Sequence, residues 1–191
     1  MGFARSDKLK VAANALRALS FFLAEADLRL LDDGGLPAQI REIVLMQLAN
    51  KSPKVSWNAC IVIAKTIKNE CDESPTKQMF FSENTVALLL DLVANKPNIK
   101  ARIQAINALL NYTSIEQIGG PKSLPLAMDT IAACLHYKAH FAGSTAELNY
   151  LDTFEDGFLG LWVAIANMVR EAKDEPVIHE FLNSNSTFNL L

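Results

Sequence analysis

Residues with metal or nucleophile chemistry are few in this chain. Cys134, His136 and His140 fall within seven residues, and two histidines four apart can share a helix face, as zinc ligands do. Zinc needs further ligands at recognisable spacing, none follows, and the helix carrying His136 is expected to end near Tyr137. A polar helix terminus accounts for the group. His179-Glu180 has no nucleophile in motif context. Gly119-Gly120-Pro121-Lys122-Ser123 shares its last residues with a phosphate loop, but the full glycine spacing is missing and Pro121 has no N–H where an amide must donate. It is a turn. These readings predict a protein that is not an enzyme and has no metal, no cofactor and no small-molecule substrate.

What does recur is a pairing of cations with amides at helical spacing. Lys10, Asn14 and Arg17 fall on one line, Lys54, Asn58, Ile61, Lys65 and Lys68 on a second, and Lys100, Gln104, Asn107 and Asn111 on a third. Such a ridge suits an extended acidic peptide. The amides offer a donor and an acceptor to its backbone, and the lysines attract its carboxylates. A structural role is the alternative for Asn14, Asn58 and Gln104, which would then bond turn backbone and pin helix pairs together. Trp57 fits the core, or a contact hot spot if exposed. Residues 50–111 hold eight basic and five acidic side chains, whereas 145–175 hold seven acidic and two basic. A partner with graded charge matches this surface.

The ridge rests on a repeated unit. Asn14 and Asn58 are 44 residues apart, Asn58 and Gln104 are 46 apart, and the junctions Leu48 to Pro53 and Val93 to Pro97 resemble each other. Apolar periodicity predicts helices from Asp7, as cap, to Ala26, with Val11, Ala15, Leu16, Leu19, Phe22 and Leu23 as its face. Further helices are expected over Pro37–Asn50, Pro53–Asn69, Ser82–Asn95, Asn98–Tyr112 and Leu124–Tyr137. A long helix over Thr145–Lys173 would carry Leu148, Leu151, Phe154, Phe158, Trp162, Ile165 and Val169 as its stripe, and a short one would start at Pro176. Breaks fall near 32–36, 70–81 and 113–123, and residues 184–191 resemble a frayed tail. The expected fold is all-α: one domain over residues 1–191, a right-handed α-solenoid of antiparallel helix pairs with about four repeats. The first helix has no partner of the other type. That edge marks a fragment of a longer solenoid or a face covered by another chain, since an uncovered apolar edge is an association site.

A period of 44 to 46 residues lies in the range of HEAT and armadillo repeats. At Lys54-Val55-Ser56-Trp57-Asn58-Ala59-Cys60 and Lys100-Ala101-Arg102-Ile103 the chain resembles the HEAT repeat family, and the resemblance runs on through Ile115-Glu116-Gln117 to Tyr150 and Trp162. It implies a scaffold or adaptor without catalysis. Arg102 matches the family's arginine, whereas Ser56 stands where an arginine is common, which bears on any polar ladder between repeats.

Composition agrees with an interaction protein. Half of the 191 residues are hydrophobic, enough for a sizeable core and contrary to disorder. A net charge of −3 gives no general attraction to nucleic acid. Cys60, Cys71 and Cys134 are odd in number and sparse, which points to a reducing compartment: the cytoplasm, with the nucleus as alternative. The apolar run Val11 to Leu31 is interrupted by Arg17, Glu25, Asp27 and Arg29, too polar for a membrane span. Met1-Gly2-Phe3-Ala4-Arg5-Ser6 fits an acylation pattern formally, with the bulky Phe3 against it, and Asn111-Tyr112-Thr113 and Asn185-Ser186-Thr187 are sequons without a secretory signal. The expected function is a non-enzymatic protein–protein scaffold, part or subunit of a larger intracellular assembly. The alternative is a transport or adaptor receptor for extended acidic peptides.

Overall fold

Helix starts follow local chemistry. Ser82 accepts a hydrogen bond from the Thr85 N–H and Asn98 from the Ala101 N–H, each satisfying one otherwise orphaned donor. Pro37 and Pro53 sit in first turns, where a missing N–H costs nothing. The computed structural model describes residues 2–31, 35–70, 74–174, 176 and 178–180. They are predominantly helical, without a strand among the described residues: α1 Leu9–Glu25, α2 Leu36–Leu48, α3 Pro53–Lys68, α4 Pro75–Gln78, α5 Glu83–Asn95, α6 Ile99–Leu109, α7 Leu124–Ala139, α8 Thr145–Leu148 and α9 Leu151–Glu171. Short 3-10 turns cover Gly2–Arg5, Leu28–Leu31 and Pro121–Ser123.

The helices pack serially. α1 lies on α3, α3 on α6 and α6 on α9; beside them α2 lies on α5 and α5 on α7. Contacts of α2 with α3, α5 with α6 and α7 with α9 join the two series. The core runs between them, from Leu16 and Leu23 through Val62, Ile63, Leu89 and Ile106 to Phe154 and Phe158. Val55, Ala59 and Cys60 are fully buried in it. At the far end Gly157 lets α9 approach α6 closely, since a Cβ there would stand 3.3 Å from Ile106 Cγ2.

Buried backbone ends are closed by side chains from far along the chain. Gln47 Nε2 donates to Ala4 O (2.7 Å), Lys96 Nζ to Asn50 O (2.6 Å), and Asn69 Nδ2 to Leu23 O and Ala26 O (both 2.9 Å). The separations are 43, 46, 46 and 43 residues. Arg102 works within its own unit: its guanidinium donates to Lys96 O and to Val93 O (2.7 Å), and lies 3.8 Å over the Tyr137 ring.

Several expectations change. Asp7 does not cap α1; the helix begins at Leu9, and Ser6 Oγ takes the Lys8 N–H. The buried face of α1 is Ala12, Ala13, Leu16, Ser20 and Leu23, while Phe22 is 54% exposed: an apolar helix with two sticky sides does not tell from spacing which one the core takes. Within 70–81, polar composition suggested loop, yet Ser74, Thr76 and Lys77 are buried around α4, with Lys77 Nζ on Asn69 O. The helix expected over Thr145–Lys173 is interrupted at Asn149–Tyr150, and Leu148 is half exposed. Residues 176 and 178–180 are helical, and the tail 184–191 and Cys71 lie outside the described residues.

Burial pushes the Cys60 thiol up to about 12 and Cys134 up to about 11, and raises Tyr112, whose hydroxyl donates to Phe80 O. A folded-state value above the unfolded one favours folding below the unfolded value and loses that contribution as pH rises. Cys60 alone therefore costs about 1.4 kcal/mol of stability by pH 10. Unfolding free energies from urea melts should fall less between pH 8 and pH 10 in Cys60→Ala than in wild type, by about 1.3 kcal/mol; parallel slopes would refute the assignment.

Candidate functional site

α1, α3, α6 and α9 share one uncovered side, which carries two adjoining hollows. The first, about 350 Å³, is lined by Asn14, Arg17, Phe21, Lys54, Asn58 and Lys65, among others; the second, about 330 Å³, by Lys100, Ile103, Gln104, Asn107, Tyr150 and Thr153. Trp57 and Ile61, both half-buried, line both. They form the sill between the hollows. The spacing of α3 places Trp57 and Ile61 four apart on one face, with Lys54, Asn58 and Lys65 beside them.

The cations of the groove are distributed over apolar floor. Lys100 Nζ lies 4.3 Å over the Tyr150 ring and the Arg17 guanidinium 5.9 Å from the centre of Phe21. Both are cation–π contacts that hold a charge at an aromatic rim. Phe21 is 58% exposed. Such walls suit an extended segment with an apolar side chain every few residues and carboxylates between.

Of the residues singled out by spacing, Asn14, Arg17, Lys54, Asn58 and Lys65 meet in the first hollow and Lys100, Gln104 and Asn107 in the second. Lys10 is exposed on α1 outside both. Lys68 borders a separate polar hollow with Asp27, Arg29, Asn69 and Glu70. Asn111 Nδ2 donates to Asn107 O (2.6 Å) and Ala108 O, so it serves the end of α6. Asn58 is 5% exposed and donates to Lys54 O (2.6 Å), one turn back in its own helix. It does not reach turn backbone. That task falls to Asn69, Gln47 and Lys96. Tyr150, Thr153 and Phe21 escaped sequence reading because their membership depends on how α9 and α1 flank α6 and α3; the Lys–Tyr pairing crosses 50 residues without periodic signature.

The other candidates resolve locally. The His136 and His140 rings stack at 4.2 Å on the exposed side of α7, with His140 Nδ1 3.0 Å from His136 O, while Cys134 is buried toward Arg102. Among the described residues no group of three or more His, Cys, Asp or Glu is placed to hold a metal. Gly119 and Gly120 take positive φ (94° and 83°), and a Cβ on Gly119 would stand 2.6 Å from Glu83 Cα. The segment is a turn packed on α5. Among the described residues no helix is long and apolar enough to cross a membrane.

No family model, curated protein or solved structure matches the chain.

Asn69 and Asn58 should separate by role. Asn69→Ala leaves buried α1 carbonyls without their amide donor and is expected to cost about 2 kcal/mol, whereas Asn58→Ala removes a bond that competes within one helix and should stay within about 1 kcal/mol. Chemical denaturation of both variants checks this, and an equal loss would overturn the distinction.

Proposed function

We propose that this chain is a non-enzymatic protein–protein interaction scaffold, a structural part or subunit of a larger intracellular assembly. It is built as a right-handed α-solenoid of antiparallel helix pairs, about four repeats, of the HEAT and armadillo type. The observation that carries this reading is the serial stacking of α1, α3, α6 and α9, which leaves their common side as one uncovered groove. Short connections of four residues between α2 and α3 and three between α5 and α6 favour antiparallel neighbours. In a stack of this kind each unit contacts its neighbours, and the exposed side is available to a partner.

Within that function, the groove's own chemistry favours an extended acidic segment as occupant. Arg17, Lys54, Lys65 and Lys100 stand around an apolar floor of Trp57, Ile61 and Ile103. Electrostatics set the approach and register; Trp57 and Tyr150 supply the anchoring area. The acidic side chains Glu147, Asp152, Glu155 and Asp156 toward the end of the chain would then repel the peptide's acidic part and limit its direction. The Lys138–Glu155 ion pair already engages one of them.

Affinity purification with mass spectrometry on wild type and on Lys54→Glu/Lys65→Glu tests the reading. The wild-type partner set should lose acidic proteins by tenfold or more in the double variant, about 1.4 kcal/mol or above. Unchanged recovery would sink the groove as the contact surface. Trp57→Ala, which keeps the charges, should weaken the same partners by about 2 kcal/mol.

A further inference from the structure

α1 has a second apolar side that the stack covers only in part, with Val11 and Ala15 half-buried and Ala15 touching the core. Val11, Ala15, Ala18 and Phe22 recur at intervals of four, three and four residues, the a and d spacing of a coiled-coil seam. Ala18 and Phe22 are exposed, and Phe3 beside them is 75% exposed. Together with Ala4, Ala15 and Leu19 they line an open hollow of about 340 Å³ with little polar surface. The Gly2–Arg5 turn packs on one flank of this side through Ala4 and leaves the seam itself open.

The charges at the ends of this seam are unusual. Continuing the same spacing outward reaches Lys8 and Glu25, both exposed. α1 has no acidic residue in its first turn and no basic residue in its last. A lysine at the positive end of the helix dipole and a glutamate at the negative end both oppose the helix that carries them. They fit an antiparallel neighbour instead. In antiparallel coiled-coil pairing an a position meets a d position, and residue numbers across the pair sum to a constant. With a sum of 33, Val11 meets Phe22, Ala15 meets Ala18 and Lys8 meets Glu25. Large packs over small, two alanines allow close approach at the centre, and each end pairs a cation with a carboxylate. A helix complementary to this face is the same helix reversed.

We propose that α1 pairs antiparallel with α1 of a second copy of this chain, across a two-fold axis passing between Ala15 and Ala18. Such an axis makes the interface isologous, so the Lys8–Glu25 pair forms twice, once at each end of the contact, and the assembly closes at two. The helix is about 25 Å long, which buries less than a standard interface. The pair is consequently weak and reversible, with a dissociation constant on the order of micromolar to tens of micromolar. It leaves the groove on α3 and α6 open in both copies.

Sedimentation of the full chain between about 5 and about 300 µM reads this directly. The weight-average mass should climb from the 21.0 kDa of one chain toward twice that value. Phe22→Glu should hold it at one chain throughout. Lys8→Glu and Glu25→Lys should each raise the dissociation constant about tenfold, and Lys8→Glu/Glu25→Lys together should bring it back within about threefold of wild type. Both single changes put charges where the helix dipole prefers them, so helix loss does not explain weaker pairing, and circular dichroism should stay at wild-type helicity. A wild-type chain that remains single over the whole range overturns the proposal. So does a double reversal that stays as weak as the single ones, because a face meeting some other surface has no reason to be rescued by exchanging its own two charges.

Discussion

The structure depends on closing helix ends that lie between layers. A helix leaves its last carbonyls without partners, and in a stack of short helices those carbonyls are held away from water, where an unmet acceptor is costly. Asn69 meets the end of α1, Lys96 the end of the α2 segment, and Arg102 the end of α5. The apolar core sets how closely helices lie, but a helix can slide along an apolar neighbour. Side chains fixed to particular carbonyls set where each helix stops against the next.

Much of the architecture was legible because its signals are local. Proline in a first turn, asparagine or serine before it, and apolar residues at helical intervals locate α2, α3, α5, α6 and α7 to within a few residues. The failures share one cause. α1 is apolar on two sides and the choice between them is tertiary; residues 70–81 are polar, yet Lys77 is buried with its ammonium on Asn69 O and Ser74 is buried as the cap of α4. Asn149 and Tyr150 end a helix without proline or glycine, so no breaker announces the interruption. The groove was half legible: cations and amides on α3 and α6 repeat, while Tyr150 and Phe21 do not. Asn58 lines the first hollow while its amide nitrogen donates to Lys54 O within the helix.

The groove and the outer side of α1 differ in physics. In the groove, cations stand over aromatic rims and the floor is half covered, which suits a segment that arrives extended and is ordered on contact. The outer side of α1 is a straight apolar strip with charge at its ends, suited to a rigid helix. A stack that uses both engages two surfaces without either competing for the same residues.

The long-range ties have a direction. In each of Gln47 to Ala4, Asn69 to Leu23 and Lys96 to Asn50, the donor lies 43 to 46 residues later in the chain than the carbonyl it closes. During synthesis, at about 5–20 residues per second, every such carbonyl waits about 2–9 s for its donor to be made. These three ends thus emerge open and are completed only by a later part of the chain, whereas Arg102 closes the end of α5 from nine residues away.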